Sequence, residues 1–298
     1  MAKMLIKILM IMMQAASLNS FSQSLPDIGC DSSHCELRIL SWNIYMLPSL
    51  VMPNGIRVRS KLIASRLKDA DFDIVVFQEA FNSKAREALR ELLKDTYPYS
   101  AGPANEKKQA LRLNSGIWIV SKIPLKITGE IEFSRAQGFD VFSRKGAMMV
   151  EAGHNGTLFQ IVGTHLNAGE TQKVRDVQYR ELQEKLLAPN RKDDVPQIIC
   201  GDFNTDKHDS DSYHRMISIL QVQDYEIKGA CLFSYDGLNN DLISPGYRKQ
   251  ELLDYIFYQS NGIAGARIER SFHRYSHAWS RRHKDLSDHY AVAASIQF

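Results

Sequence analysis

Apolar residues along this chain recur in two rhythms. Short apolar runs bounded by Gly, Asn, Asp or Ser read as buried strands. They fall at 37–43, 73–79, 116–120, 158–165, 197–200 and 251–258, with a closing run at 291–298. Weaker runs at 125–133 and 146–152 predict two more strands, and His154-Asn155-Gly156-Thr157 carries a hairpin-turn signal. The second rhythm is helical. Ala85, Ala88, Leu89, Leu92 and Leu93 follow the i, i+3, i+4 spacing behind an Asn82 or Ser83 cap. Leu62, Ile63 and Leu67 mark a helix over 56–70, and a further helix is expected over 171–187. Tyr213, Met216, Ile217 and Leu220 mark another. Polar stretches at 100–114, 234–247 and 273–285 read as loops. Strands and helices alternate without an internal repeat, and nothing after residue 36 resembles a linker. One layered α/β domain with mixed sheets follows.

Composition changes this picture at the N-terminus. Lys3 and Lys7 flank an apolar run through Met13, followed by small residues up to Ser22. That is the pattern of a secretory signal over 1–22, too short to span a bilayer, a retained N-terminal anchor being the other reading. A polar segment, 23–36, leads into a single domain over 37–298. Removing Lys3 and Lys7 lowers the formal charge from +3 to +1, so the mature chain lacks the basic excess of a tight nucleic-acid binder. Of four cysteines, Cys30 and Cys35 are close enough for a small disulfide loop after export. Cys200 and Cys231 sit among apolar residues as small hydrophobes. No spacing suggests structural zinc.

The chemistry collects where strands end: Asn43, Glu79, His165, Asp202, Asn204 and the pair Asp288-His289. Asp202 and Asn204, two positions apart, share one side of an extended segment. Taken alone, the stretch reads first as an Asx turn closing a strand. Taken singly, Asn43 reads as a strand-ending turn, Glu79 as a helix-leading acid and His165 as a satisfied core histidine. Asp254 differs, being a carboxylate inside an apolar strand, where a charge needs a partner. His289 and His165 are the candidates. Glu, Asp and Asn are hard oxygen donors, suited to Mg²⁺ or Mn²⁺ rather than zinc. A histidine backed by a buried acid is the usual build of a general base. Together these groups fit in-line attack of water on phosphorus. No Gly-x-Ser-x-Gly elbow, Walker or dinucleotide fingerprint appears.

Six motifs in order carry a resemblance: Trp42-Asn43-Ile44-Tyr45-Met46-Leu47-Pro48, Phe77-Gln78-Glu79-Ala80-Phe81, Gly163-Thr164-His165-Leu166, Gly201-Asp202-Phe203-Asn204, Leu253-Asp254-Tyr255 and Ser287-Asp288-His289-Tyr290. They resemble the endonuclease/exonuclease/phosphatase (DNase-I-like) superfamily; the Asn43-Ile44-Tyr45-Met46-Leu47-Pro48 opening, residues 116–124, Thr164-His165-Leu166-Asn167-Ala168 and Val174-Arg175-x-x-Gln178 look, within it, like the secreted bacterial neutral sphingomyelinases. The resemblance implies a four-layer α/β/β/α sandwich of two mixed sheets flanked by helices. It implies a secreted or periplasmic phosphodiesterase of phospholipase C type, with a DNase-like nuclease or phosphatase as the alternative. Glu79 would be the main Mg²⁺ ligand, helped by Asn43 and Asp288, with Mn²⁺ or another divalent ion possible in its place. His289 would activate water, oriented by Asp254. Asp202 and Asn204 would flank the water and the phosphate, and His165 would bind the phosphate. Arg175 and Gln178 share a helix face and would border the pocket, a surface salt bridge being the other reading of Arg175. The implied partner is a phospholipid at a membrane surface, met by a monomer without a protein partner. Nucleic acid belongs only to the alternative. In the haemolytic members an apolar hairpin precedes Ser-Asp-His. Here residues 274–284 are basic with Tyr275 and Trp279, either resting on a membrane surface or forming a solvated loop around a packed Trp279.

Overall fold

The computed structural model describes residues 36–48, 55–107, 112–169, 171–263 and 265–298. The expected signal over 1–22, the segment up to Cys35 and the Cys30–Cys35 pairing lie outside the described residues.

The apolar runs become two mixed sheets. One has seven strands: β1 (Glu36–Asn43), β2 (Ile74–Gln78), β3 (Tyr99–Ala101), β4 (Trp118–Ser121), β9 (Ile227–Lys228), β13 (Arg267–His273) and β14 (Ala291–Gln297). They lie in the order β3-β4-β2-β1-β14-β13-β9. The other has the order β12-β8-β7-β6-β5. Its members are β5 (Lys126–Glu132), β6 (Gly146–His154), β7 (Thr157–His165), β8 (Gln197–Asp202) and β12 (Asp254–Gln259). A small ribbon joins β10 (Tyr235–Asp236) to β11 (Gln250–Glu251). The hairpin signal holds: Asn155 and Gly156, at φ 48° and 79°, link β6 to β7.

Alternation along the strands builds the layers. Leu37, Ile39, Ile74 and Val76 face inward with Val150, Ile161 and Ile198 of the second sheet. Leu40, Trp42, Val75 and Phe77 face the other way, onto Ile63, Leu67, Leu89 and Leu93. Those belong to α1 (Ile56–Lys68) and α2 (Ser83–Leu93), while α3 (Gln172–Leu182) and α4 (Ser210–Leu220) complete the opposite flank. Tyr179, Leu182, Met216 and Leu220 supply its apolar contacts. The result is the expected four-layer α/β/β/α sandwich.

Several local expectations change. Strand β13 was not anticipated, because Arg267, Glu269 and Arg270 break its apolar signal. Ala88 is exposed and Arg86 is buried in its place; Arg86 donates to the Phe81 carbonyl at 2.9 Å and pairs with Glu106 at 3.0 Å. Asn82 caps α2 by accepting from the Ala85 amide. The helix expected through 187 ends at Leu182 and continues as a π turn over Gln183–Leu187. The run 251–258 splits, so Asp254 opens β12 rather than lying within a strand. It joins the other polar residues at strand ends.

Residues 274–284 fold back on the protein. The Trp279 indole donates to the Asp285 carbonyl at 2.8 Å and stacks on His283 at 5.2 Å. Tyr275 packs on Trp42 at 4.9 Å, and Arg274 pairs with Asp285 at 2.8 Å. The aromatics of this loop are committed to packing. No helix among the described residues is long and apolar enough to cross a membrane.

Candidate active site

Strand register assembles the first half of the site. His165 pairs with Asp202 across β7 and β8, and Asp202 pairs with Asp254 across β8 and β12. Three polar side chains thus stand in one row at one end of the five-stranded sheet. The close approach behind them requires glycine at 201, where a Cβ would sit 2.1 Å from the Thr164 carbonyl oxygen. The second half comes from the other sheet: Asn43 ends β1, Glu79 follows β2, and Asp288-His289 leads into β14. Glu79 adopts φ 55°, an uncommon conformation for a residue with a side chain. Its neighbour Ala80 donates to the Gly116 carbonyl at 2.9 Å; a Cβ on Gly116 would lie 3.1 Å from the Glu79 Cα.

The halves meet through short polar contacts. His289 Nδ1 donates to Asp254 Oδ2 at 2.7 Å, and its Nε2 lies 3.7 Å from Asp202 Oδ2. Asn43 Nδ2 donates to the same Asp202 oxygen at 3.1 Å. The i, i+2 argument for Asn204 does not hold, because Asn204 turns to φ 48° and leaves the extended conformation. Its amide N–H donates to Asp202 Oδ1 at 2.9 Å, forming the Asx turn, and its side chain donates to the Leu166 carbonyl. Turn and site coexist: Asp202, Asn204, His165, His289, Glu79 and Asp288 all line one cavity of about 1130 Å³. The remaining wall carries Tyr235 and Tyr247, with the Tyr235 ring 4.9 Å from His289.

Electrostatics divide the two histidines. Burial opposes charge on His289, but Asp254, Asp202 and Asp288 outweigh it and hold it well above the ordinary value. Burial and then Lys145 hold His165 well below it. Burial and the Asp288 carboxylate push Glu79 up to about 8. Burial also raises Asp254 and Asp288.

Two groups of donors suit a cation. Asp202, Asp254 and His289 each offer an atom within 4.8 Å of the others. In that trio, however, the His289 Nδ1 is already engaged by Asp254. Glu79 Oε2 is buried without a hydrogen-bond partner, in the field of Asp288. An orphaned carboxylate oxygen beside a second carboxylate fits a hard divalent ion. Asn43 Oδ1 accepts from the Tyr45 amide at 3.1 Å, leaving one lone pair.

Arg175 lines the cavity and is buried, at 7% exposure, rather than lying on the surface. Its guanidinium donates to the carbonyls of Asn167 at 3.1 Å and Gly169 at 2.6 Å. Gln178 lies outside the cavity lining and instead accepts from the Asn167 amide at 2.9 Å. It buttresses the loop after His165.

Sequence reasoning missed Lys145 and Arg59. Buried Lys145 divides its three protons among Asp140 Oδ1 at 2.9 Å, the Leu166 carbonyl at 2.7 Å and His165 Nε2 at 3.0 Å. Its signal was a lysine directly ahead of a buried apolar strand. Arg59 lies four and eight residues before Ile63 and Leu67, a cation on the apolar stripe of α1. It donates to the Leu286 and Tyr45 carbonyls, both at 2.9 Å, tying the loop before Ser287-Asp288-His289 to the loop after Asn43. Burial lowers its pKa to about 10.

A family model described as the Endonuclease/Exonuclease/phosphatase family matches residues 40–289. The chain belongs to that family, and it is a phosphodiester hydrolase. Sphingomyelinase C of Listeria ivanovii is 29% identical over 288 residues, covering 86% of this chain and 85% of the relative. Sphingomyelinase C 2 of Leptospira interrogans is 29% identical over 76% of this chain, which spans only 40% of that relative's length. A crystal structure of beta toxin from Staphylococcus aureus with bound magnesium ions superposes with TM-score 0.78 at 26% identity. That match covers 87% of this chain and 99% of the toxin.

Proposed function

We propose that the chain hydrolyses sphingomyelin to ceramide and phosphocholine, as an exported, Mg²⁺-dependent enzyme of phospholipase C type. The observation that carries this reading is the 2.7 Å Asp254–His289 pair facing Glu79 and Asp288 across one cavity. The choice of lipid rests on the likeness to Sphingomyelinase C over 86% of the chain. His289 Nε2 takes a proton from water, and Asp254 fixes the tautomer and balances the imidazolium. A bond forms from the water oxygen to phosphorus as the bond from phosphorus to the ceramide oxygen breaks; that oxygen takes a proton from solvent and leaves as the alcohol, and His289 returns its proton to solvent. Asp202 and Asn204 hold the water and a phosphate oxygen. His165, kept neutral by burial and Lys145, binds the phosphate. Arg175 borders the substrate, and Gln178 acts through the loop it supports.

Glu79, with Asp288 and Asn43, would hold the divalent ion. When bound there, the ion supplies positive charge to a phosphate oxygen. The protein acts as a secreted or periplasmic monomer on phospholipid at a membrane surface, without a protein partner.

The test is phosphocholine release from sphingomyelin, run beside phosphatidylcholine and plasmid DNA, with Mg²⁺ and with a chelator. Mg²⁺-dependent release from sphingomyelin is expected. Cleavage of DNA without phosphocholine release would overturn the lipid reading in favour of a nuclease.

A further inference from the structure

The connection between β5 and β6 carries the densest exposed apolar group among the described residues. Its short helical turn, Gly138–Phe142, leaves Phe139 91% exposed, Phe142 64% and Val141 42%. Soluble surfaces rarely gather large apolar side chains on one projecting turn without a partner. The same turn is fastened to the site. Asp140 Oδ2 accepts from the Ala168 amide at 2.7 Å, and Oδ1 pairs with Lys145, which reaches His165. The Gln137 amide donates to Asn167 Oδ1 at 2.8 Å. Ala168 and Gly169 line the cavity, so the apolar turn stands beside the catalytic opening. Its charge is also suited to phosphate head groups. Exposed Arg135 flanks the turn, and the sole acid between residues 134 and 145, Asp140, faces inward on Lys145.

We propose that Phe139, Val141 and Phe142 form the membrane-docking tip of this protein, entering the outer part of a phospholipid bilayer and bringing the cavity to its surface. Aromatic side chains favour the boundary between head groups and acyl chains, and a small apolar tip gives reversible attachment. The occupant is a lipid surface because the turn adjoins the site, is flanked by an exposed cation and points its own acid inward onto Lys145. The proposal rests on the lipid-hydrolase reading above. The 274–284 loop contributes less, since Trp279 and Tyr275 are packed inward.

The experiment compares full-length protein with the double variant Phe139→Ala/Phe142→Ala. Probes are vesicles of phosphatidylcholine and sphingomyelin, and p-nitrophenyl phosphocholine in free solution. Partitioning to vesicles and hydrolysis of their sphingomyelin should fall by roughly ten- to hundredfold, in keeping with two phenyl groups withdrawn from lipid. Hydrolysis of the soluble ester should stay unchanged. In a second variant, Phe139→Trp, emission should shift to the blue when vesicles are added. Unchanged partitioning of the double variant, or an unmoved emission, overturns the docking tip. Self-association of the wild type that the double variant abolishes would also overturn it, assigning the turn to a second copy. Vesicle binding without sphingomyelin cleavage would sink the lipid-hydrolase reading and leave the docking tip standing.

Discussion

The cavity holds two histidines of nearly equal burial, His165 at 3% exposure and His289 at 6%. Desolvation works against charge on both. On the His289 side three carboxylates overturn it; on the His165 side Lys145 reinforces it. One ring is built to accept and carry a proton, the other to stay neutral. Burial alone therefore does not decide what a histidine does here. The partner that its strand register delivers decides it.

Substitutions break this contrast to different degrees. His289→Ala removes the proposed base and should lower kcat/KM by about 10⁴, with an unchanged circular dichroism spectrum. Near-normal turnover would remove His289 from its role. Asp254→Asn should cost about 10³ and also move the pH profile. Losing the anion lowers the His289 pKa, so the acid limb should shift to lower pH; a shift upward contradicts the pairing. Glu79→Gln leaves both histidines in place and should raise the Mg²⁺ requirement by about 100-fold. An unchanged response to Mg²⁺ counts against Glu79 as a ligand.

Lys145→Met sharpens the other side with the smallest effect. As a positioning residue, Lys145 should cost about tenfold, less than the roughly 100-fold of a group that transfers the proton itself. Imidazole NMR should show the His165 pKa moving upward, because the neighbouring ammonium no longer opposes its charge. The sign carries to stability. With a depressed folded pKa, His165 destabilises the fold as pH drops below about 6.5, where the unfolded chain binds the proton first. In the Lys145 variant that loss should be smaller, read from denaturant midpoints at pH 7 and pH 5.

Most of this site was legible because its residues sit where apolar runs stop. Asn43, Glu79, His165, Asp202 and Asp288-His289 interrupt or end strands that are otherwise unmistakable. Asp254 looked anomalous because the apolar stretch around it concealed the break between β11 and β12. Lys145 and Arg59 were hidden for a different reason. Apart from Asp140, five residues before Lys145, their partners are backbone carbonyls and a histidine distant in sequence, contacts that no local spacing records. Likewise, strand β13 buries Arg270 against Asp224 at 2.6 Å, a partner distant in sequence, while Arg267 and Glu269 pair at its solvent face. The exposed Phe139 and Phe142 raised no signal, since composition does not tell an outward phenylalanine from an inward one.

Strand β14 follows the other described strands in sequence, yet it lies between β1 and β13, and Asp288 and His289 lead into it. A chain halted before residue 291 already carries Glu79, His165 and Asp202. It has no strand to hold His289 against Asp254. Removing β14 would therefore leave the row His165, Asp202 and Asp254 on its own sheet, without the histidine that Asp254 holds.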